Sequence, residues 1–343
     1  MAKKSRAGAA RSPSSRDGQD ILVLLSRCFA WCVVAATVVF LLNNYLTNWR
    51  GWPGFTALLE STAPDKAAFA WGQALLYVAG LAVAVGYVLA TKSRSLRPDS
   101  ETMYAVTAYI IRASFWAVFF IGLADMVVSF LRVEGLLPAL FGDKLAIDLG
   151  RSVFRGLWVH FPMLALGFAV AAYHRGLGFP WLALLVVGAE LLIVITRFIF
   201  SYEQAFMADL VRFWYAALFL FASAYTLLEE GHVRVDVLYS GFSARTKGLV
   251  NAAGSVLLGL SLCAVIIFFG MNGKSTVING PLLIFETTQT GFGMYVKFWM
   301  AGFLAIFAVS MLIQFSGYFL EGIADYRGDP DKRVMDSEGS LEG

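Results

Sequence analysis

Eight apolar stretches dominate this 343-residue chain, and each is long enough, or nearly so, to cross a membrane as a helix. A hydrocarbon core about 30 Å thick requires about 20 mainly apolar residues per helix. The stretches are residues 21–46, 69–91, 103–131, 157–173, 180–201, 210–228, 249–271 and 295–319. The sequence therefore predicts an all-α polytopic membrane protein, a bundle of about eight transmembrane helices.

The composition agrees with this class of protein. Hydrophobic residues make up 58% of the chain and charged residues only 15%, whereas charged residues are about a quarter of a soluble domain. The formal net charge is +3 and the basic residues are scattered, so no nucleic-acid partner is expected. Cys28, Cys32 and Cys263 lie inside apolar stretches, where cysteine acts as a small hydrophobe, so no metal or other cofactor is expected.

The first stretch is predicted to be a retained helix, because it is too long for a signal peptide and no small-residue cleavage site follows it. The polar residues 1–20 before it are predicted to form a disordered tail. Eight spans place both termini on one side of the membrane. With that side cytoplasmic, it carries fifteen Lys and Arg residues against ten on the other side. The positive-inside rule therefore predicts cytoplasmic N- and C-termini.

Three charged residues inside the spans need an explanation, because a charge in the membrane core is costly. Glu190 lies near the centre of the fifth span, where it either contacts another helix or subunit or forms a proton or ion site. Arg197 follows seven residues later, about 10 Å along the helix axis and too far for direct pairing. Arg112 and Asp125 in the third span are expected to reach the cytoplasmic and periplasmic interfaces, respectively, and to support packing.

Three connecting segments carry structural expectations. Residues 132–156 mix charges with leucines and predict an interfacial helix broken near Pro138, with a docking surface for a periplasmic protein as the alternative. The segment 272–296 is long for a connection and predicts a structured contact. In the segment 231–248, Val235, Leu238, Tyr239 and Phe242 have helical spacing, which favours a short interfacial helix, while a solvated loop stays open as the alternative.

An enzymatic or redox function would have to use the three histidines. His160 and His174 are fourteen residues apart on one span, a spacing seen in haem-binding membrane cytochromes, but only His232 remains as a further axial ligand. Two bis-histidine haems are therefore impossible, and His160 and His174 are interpreted as interfacial residues. No Gly-x-Ser-x-Gly, Walker-type glycine loop or His-Glu-x-x-His motif is present, so the chain is not expected to be an enzyme.

The second half of the chain resembles the small membrane subunit of tripartite ATP-independent periplasmic (TRAP) transporters, the DctQ-type family. The resemblance is carried by Arg197-Phe198, Asp209 and the segment GHVRVDVLYSGFSARTKG at 231–248, and by Glu286-Thr287 followed by Lys297 and Gln314. It covers about residues 180–320. The usual Trp-x-Glu-Glu of the family is present here only as FMADLVRFW, and the first 175 residues add about four helices.

The resemblance implies four regions: a tail at 1–20, an N-terminal membrane extension of about four helices at 21–175, a DctQ-like four-helix domain at 176–325 and a cytoplasmic tail at 326–343. It implies a bacterial inner-membrane subunit that supports a large permease subunit of about twelve helices and a periplasmic solute-binding protein. Together they would take up an organic acid or similar solute, driven by a cation gradient.

The same resemblance suggests residues for contacts with other subunits or with membrane lipids, namely Arg197, Asp209, His232, Arg234, Asp236 and Glu286. Two other interpretations stay open at this point. The chain could be a stand-alone carrier or channel that uses Glu190, Arg112 and Asp125, or a haem-binding membrane redox subunit.

Overall fold

The computed structural model describes residues 13–59, 64–175, 179–202, 205–228, 237–286 and 294–330. These ranges are almost entirely helical and contain no strand, as the sequence predicts. Eight of their helical segments are long and apolar enough to cross a membrane: Ile21–Asn48, Lys66–Ala90, Leu96–Val133, Ser152–Tyr173, Ala183–Phe200, Phe206–Ser223, Ala244–Met271 and Val296–Arg327.

The helices within the described residues are α1 (Pro13–Asn48), α2 (Pro64–Ala90), α3 (Leu96–Val133), α4 (Leu137–Phe141), α5 (Asp143–Leu149), α6 (Ser152–Arg155), α7 (Phe161–Tyr173), α8 (Phe179–Phe200), α9 (Ala205–Leu228), α10 (Ala244–Gly254), α11 (Ser261–Met271), α12 (Asn279–Ile284) and α13 (Val296–Arg327). One turn of π-helix, Gly156–His160, joins α6 to α7, and another, Ser255–Leu260, joins α10 to α11. Short 3-10 turns lie at Phe55–Leu59 and Tyr239–Gly241.

Helices α3 and α13, which belong with α9 to the most buried of the described spans, run antiparallel through the middle of the bundle. α7 and α9 pack against α3, while α1, α9, α10 and α11 pack against α13. Half of the buried residues of the main apolar core are aromatic, among them Phe115 in α3, Phe213 in α9, and Trp299 and Phe303 in α13. Helix α3 of the N-terminal half therefore shares this core with α9 and α13 of the C-terminal half.

Glycine allows α10 and α13 to approach closely. A Cβ atom built on Gly248 would lie 2.5 Å from the Tyr326 backbone nitrogen, and one built on Gly322 would lie 2.8 Å from the Ala252 backbone nitrogen. Since real Cβ atoms do not approach this closely, a larger residue at either position would force the helices apart.

The bundle has two ends, named here for what lies there. The terminal end holds the start of α1, the connection between α2 and α3, and the end of α13. The loop end holds the end of α1, α4 to α6, and the start of α13. These names carry no statement about which end faces the cytoplasm.

Two connecting segments differ from the sequence expectation. The 132–156 segment breaks at Gly142, whose φ of +81° glycine adopts without strain, whereas Pro138 lies in the first turn of α4. In the 231–248 segment the described part is a 3-10 turn, after which Ser243 caps α10 by accepting a hydrogen bond from the Thr246 amide at 3.2 Å. Residues 237 and 238 form a turn before this 3-10 turn, so the described part between 237 and 243 is not a continuous helix.

Candidate functional site

A buried polar network connects α3 to the loop end of the bundle. Its centre is the carboxylate of Asp125, which lies 3.1 Å from the Arg155 guanidinium and 2.8 Å from Nε2 of His160. Ser129, one turn along α3, donates a hydrogen bond to the second carboxylate oxygen at 3.1 Å. All of these side chains are almost completely buried. Such a charge is stable in an apolar interior only when it is paired and hydrogen-bonded, and here both conditions hold.

Tyr295, at the start of α13, completes this network. Burial and the nearby charge of Asp125 raise the pKa of the Tyr295 phenol, so the hydroxyl stays protonated at neutral pH. Its hydroxyl oxygen lies 2.5 Å from Nδ1 of His160, and Nε2 of His160 lies 2.8 Å from Asp125 Oδ1, so both ring nitrogens have hydrogen-bond partners. Both ring nitrogens are occupied, so His160 is not available as a haem ligand in this arrangement.

The local backbone brings these groups together. The π-helical turn Gly156–His160 contains one more residue than an α-helical turn and so changes the face on which His160 lies. A Cβ on Gly156 would lie 2.6 Å from the Tyr295 hydroxyl oxygen, so glycine makes room for the phenol. His160 is therefore a buried residue of this network.

A second buried ion pair lies at the terminal end. Arg27 in α1 is fully buried, and its Nε donates to Asp99 Oδ2 at 2.8 Å. Trp31 donates to the same oxygen at 2.8 Å, and Arg94 lies 3.1 Å from the other carboxylate oxygen. Arg27 also donates to the backbone oxygen and the hydroxyl of Thr91. This network holds α1 against the α2–α3 connection and the first turn of α3.

A cluster of amides ties α1 to the segment between α11 and α13. Asn44 donates to Asn279 Oδ1 at 3.0 Å, and Asn279 donates back to Asn44 Oδ1 at 2.9 Å. Asn279 also donates to the backbone oxygens of Met271 and Gly273. The expectation that 272–296 is structured therefore agrees with its described part, although residues 287–293 lie outside it.

The three intramembrane charges singled out in the sequence do not meet. Asp125 is buried at the loop end, as described above. Arg112 is half-buried in α3, and its Nε has no hydrogen-bond partner among the described residues. Glu190 is exposed near the middle of α8 and makes no hydrogen bond or ion pair with the described part of the chain. These positions do not form one pathway.

The residues suggested for subunit contacts divide into three groups. Asp209 is buried and lies 3.4 Å from Arg212, whereas Arg197 is exposed on α8. Glu286 and Lys297, two members of one family pattern, form an ion pair of 2.7 Å. His232, Arg234 and Asp236 lie outside the described residues.

Gln314, the last residue of the family pattern, is fully buried in α13, and neither of its side-chain amide atoms has a hydrogen-bond partner in the described part. No group of three or more His, Cys, Asp or Glu residues able to hold a metal ion is present within the described ranges.

Sequence reasoning missed several of the network residues. Arg27 could have been found from the sequence, because an arginine inside the first apolar stretch indicates a buried partner. Arg155 falls in the predicted connecting segment 132–156, and Tyr295 falls in the apolar stretch 295–319. Their roles depend on contacts between residues far apart in the sequence, which residue spacing within one helix does not reveal.

The fold and these sites define a class, a multi-pass membrane helix bundle with sealed polar networks between its helices. Within that class, residues 185–325 match the family model described as Tripartite ATP-independent periplasmic transporters, DctQ component. Residues 185–325, called the DctQ-type region below, are therefore similar to this component, and the N-terminal helices lie outside the matched residues. No curated protein and no solved structure matches the chain.

Proposed function

We propose that this chain is the small membrane subunit of a TRAP-type secondary transporter in a bacterial inner membrane. It would support a large permease subunit of about twelve helices and a periplasmic solute-binding protein. The complex would take up an organic acid or similar solute at the expense of a cation gradient. The chain itself would have no enzymatic activity and no substrate site.

The outward face of α8 is the observation that carries this proposal. No residue of its span Ala183–Phe200 is buried within the chain, and α8 packs mainly against α9. Val187, Leu191, Val194 and Phe198 form an exposed apolar stripe at helical spacing, with Val187 62% and Phe198 79% exposed. Such a stripe suits either lipid or a partner helix.

Glu190 lies beside this stripe, ten residues before the end of α8, and it distinguishes the two possibilities. A carboxylate facing lipid at mid-span costs about 2.5–3.5 kcal/mol. A neighbouring helix that supplies a cation or a hydrogen-bond donor removes this cost. The large permease subunit is the partner that the DctQ-type region of this chain implies, and we place it on this face of α8.

An apolar groove next to this face has the shape for such packing. It has a volume of about 560 Å³, lies between α3, α8 and α9, and is lined by residues that include Met126, Phe130, Gly188 and Leu192. Gly188 and Ala189 leave room for a second helix backbone, a feature of helix contacts in membranes.

The alternative of a stand-alone carrier has less support. A carrier binds its substrate and ions near the bilayer midplane, on interrupted helices. Here Asp125 is balanced by Arg155 inside the bundle, and Glu190 faces outward. Between Trp214 and Leu228, and between Leu249 and Met271, the sequence has no charged residue. The haem alternative is weakened by the occupied ring nitrogens of His160.

The orientation and the suggested contact residues complete the proposal. The terminal end would face the cytoplasm and the loop end the periplasm, in accord with the distribution of positive charge. Arg197, Asp209, His232, Arg234, Asp236 and Glu286 would serve assembly with the partner or with lipid. The chain would divide into an N-terminal membrane extension at 21–175, which adds supporting helices, and a DctQ-like domain at 176–325, which corresponds to the family.

The test is co-purification of the tagged chain from its own membranes in mild detergent. We expect a polytopic partner of about a dozen helices to co-elute. Glu190→Lys and Val187→Trp should each reduce its recovery. Val83→Trp is the matched control, since Val83 is 72% exposed on the peripheral helix α2. Equal recovery with all three variants, or no such partner with the wild type, would contradict the proposed role of α8.

A further inference from the structure

The terminal end contains a cavity of about 770 Å³ that the proposed function does not use. Its walls come from the first span residues of α1, the connection between α2 and α3, the start of α3 and the end of α13. All of these except the end of α13 belong to the N-terminal extension. The cavity therefore lies almost wholly outside the region that resembles DctQ.

Basic side chains dominate its lining. Five of the lining residues are cationic and two are carboxylates: Arg27, Lys92, Arg94, Arg97 and Arg327 against Glu101 and Asp329. Two more carboxylates that do not line the cavity form ion pairs with its arginines: Asp99 with Arg27 and Asp325 with Arg97. The balance of five cations and four carboxylates leaves an excess of one positive charge.

The arginines are held in fixed positions. Arg94 Nε lies 3.1 Å from Asp99, and its Nη1 donates to the Tyr87 hydroxyl at 2.9 Å. Arg97 Nε donates to the Pro330 backbone oxygen at 2.8 Å. Lys92 differs from both, because its amine is exposed and makes no hydrogen bond or ion pair within the described residues. It is the cation with most capacity for an added anion.

The remaining wall is apolar. Ile21, Val23 and Leu24 of α1 line the cavity, and Ile21 is 58% exposed. Ile21 also begins the first membrane span, Leu96 begins the third, and Arg327 ends the last. The cavity therefore lies at one end of these candidate membrane spans. A membrane surface at these helix ends would bring its basic and apolar walls to the depth where phospholipid headgroups join their acyl chains.

We propose that this cavity binds the headgroup phosphate of an anionic phospholipid. Lys92 and Arg94 hold the phosphate, and the acyl chains run along Ile21 and Leu24. Basic pockets between transmembrane helices at the cytoplasmic surface are suited to anionic headgroups. A free phosphate ion would satisfy the cations but would leave the apolar wall unused, so the amphiphilic ligand fits better. The inference does not depend on the proposed transporter function.

Ser95 allows a substitution that changes the charge of the cavity without weakening the fold. It lines the cavity, is exposed, and is the N-cap of α3 without a side-chain capping bond. Aspartate and asparagine are both good N-cap residues, so neither should destabilise α3. Only Ser95→Asp places a negative charge beside Lys92 and Arg94.

The experiment measures retained lipid by native mass spectrometry on the full-length chain in micelles doped with phosphatidylglycerol or phosphatidylcholine. We expect the wild type to retain phosphatidylglycerol preferentially. Ser95→Asp and the double variant Lys92→Gln/Arg94→Gln should each weaken this binding about tenfold or more. Ser95→Asn should bind like the wild type. Lys144→Gln/Arg151→Gln, which removes two exposed cations at the loop end, is the charge-matched control and should also bind normally.

Two further arms keep the result decisive. Thermal unfolding in phosphatidylcholine alone should give the same Tm for Ser95→Asp and Ser95→Asn, which separates lost binding from lost folding. Inorganic phosphate at millimolar concentration should not displace the lipid. Equal retention of the two lipids, normal binding by Ser95→Asp, or displacement by phosphate would overturn the proposal; displacement would indicate a site for a free anion.

Discussion

Asp125 in α3 and Arg155 in α6 lie 3.1 Å apart and are each at most 3% exposed, although thirty residues separate them in the chain. The pair fixes the loop-end segment 137–160 to the central helix of the bundle. Through His160 and Tyr295 it also reaches the first residue before α13. One buried charge thus connects the N-terminal helices to the DctQ-type region.

Removing one partner of this pair should destabilise the bundle more than removing both charges. Arg155→Met leaves the Asp125 carboxylate buried with no cation, and we expect the free energy of unfolding to fall by about 3–5 kcal/mol. Asp125→Asn/Arg155→Met should recover part of this loss, since the asparagine oxygen still accepts from His160. Denaturant unfolding in detergent measures the difference. A double variant less stable than Arg155→Met would contradict the assigned charge pairing.

Gly156 and Tyr295 should be coupled through the space that the hydroxyl occupies. Gly156→Ala places a methyl group 2.6 Å from that hydroxyl oxygen, and we expect overpacking to cost about 1–3 kcal/mol. Tyr295→Phe alone should cost about 1 kcal/mol by removing the hydrogen bond to His160. The double variant should lose less unfolding free energy than the sum of the losses in the two single variants. A double-mutant cycle with strictly additive losses would show that the alanine is accommodated elsewhere.

At the terminal end, Asp99 should matter more than Arg27. Arg27→Met leaves Asp99 still paired with Arg94 and hydrogen-bonded to Trp31. Asp99→Asn instead leaves two guanidinium groups facing each other, one of them fully buried. We expect Asp99→Asn to lower the Tm further than Arg27→Met. The opposite order, measured in the same detergent, would mean that Arg27 has an essential contact besides the carboxylate and Thr91.

Arg234 and Asp236 test the sequence motif directly, although they lie outside the described residues. If they contact the large subunit or lipid headgroups, reversing both charges should abolish uptake by the assembled transporter. Arg175→Glu, at an exposed arginine just after α7, is the control and should leave uptake intact. Unaltered uptake by the Arg234→Glu/Asp236→Arg variant would contradict a role of these two residues in assembly.

The number and positions of the spans could be predicted because hydropathy over about 20 residues follows from the thickness of the bilayer. The side chains that pair between different helices could not be predicted in this way. Asp125 was identified as an unusual charge, but Arg155 and His160 approach it through the packing of α3 against α6 and the π-helical turn. Periodicity calculated for an α-helix fails at such a turn, since one added residue rotates every side chain that follows.

Glu286 and Lys297 belong to one family pattern, but the pattern does not predict their ion pair, which only the structure reveals. Glu190 shows the same limit: its position at mid-span is plain in the sequence, but only the structure reveals that it faces away from the rest of the described chain.

The central claim is that this chain acts only together with a separate permease. The most direct test is uptake of an organic acid into liposomes in a sodium-containing buffer. Liposomes without internal sodium have an inward gradient, and sodium-loaded liposomes do not. Each kind contains either the purified chain alone or the co-purified complex. We predict uptake by the complex in the presence of its binding protein and an inward cation gradient, and none by the chain alone. Gradient-driven uptake by the chain alone, at the rate of the complex, would contradict the claim.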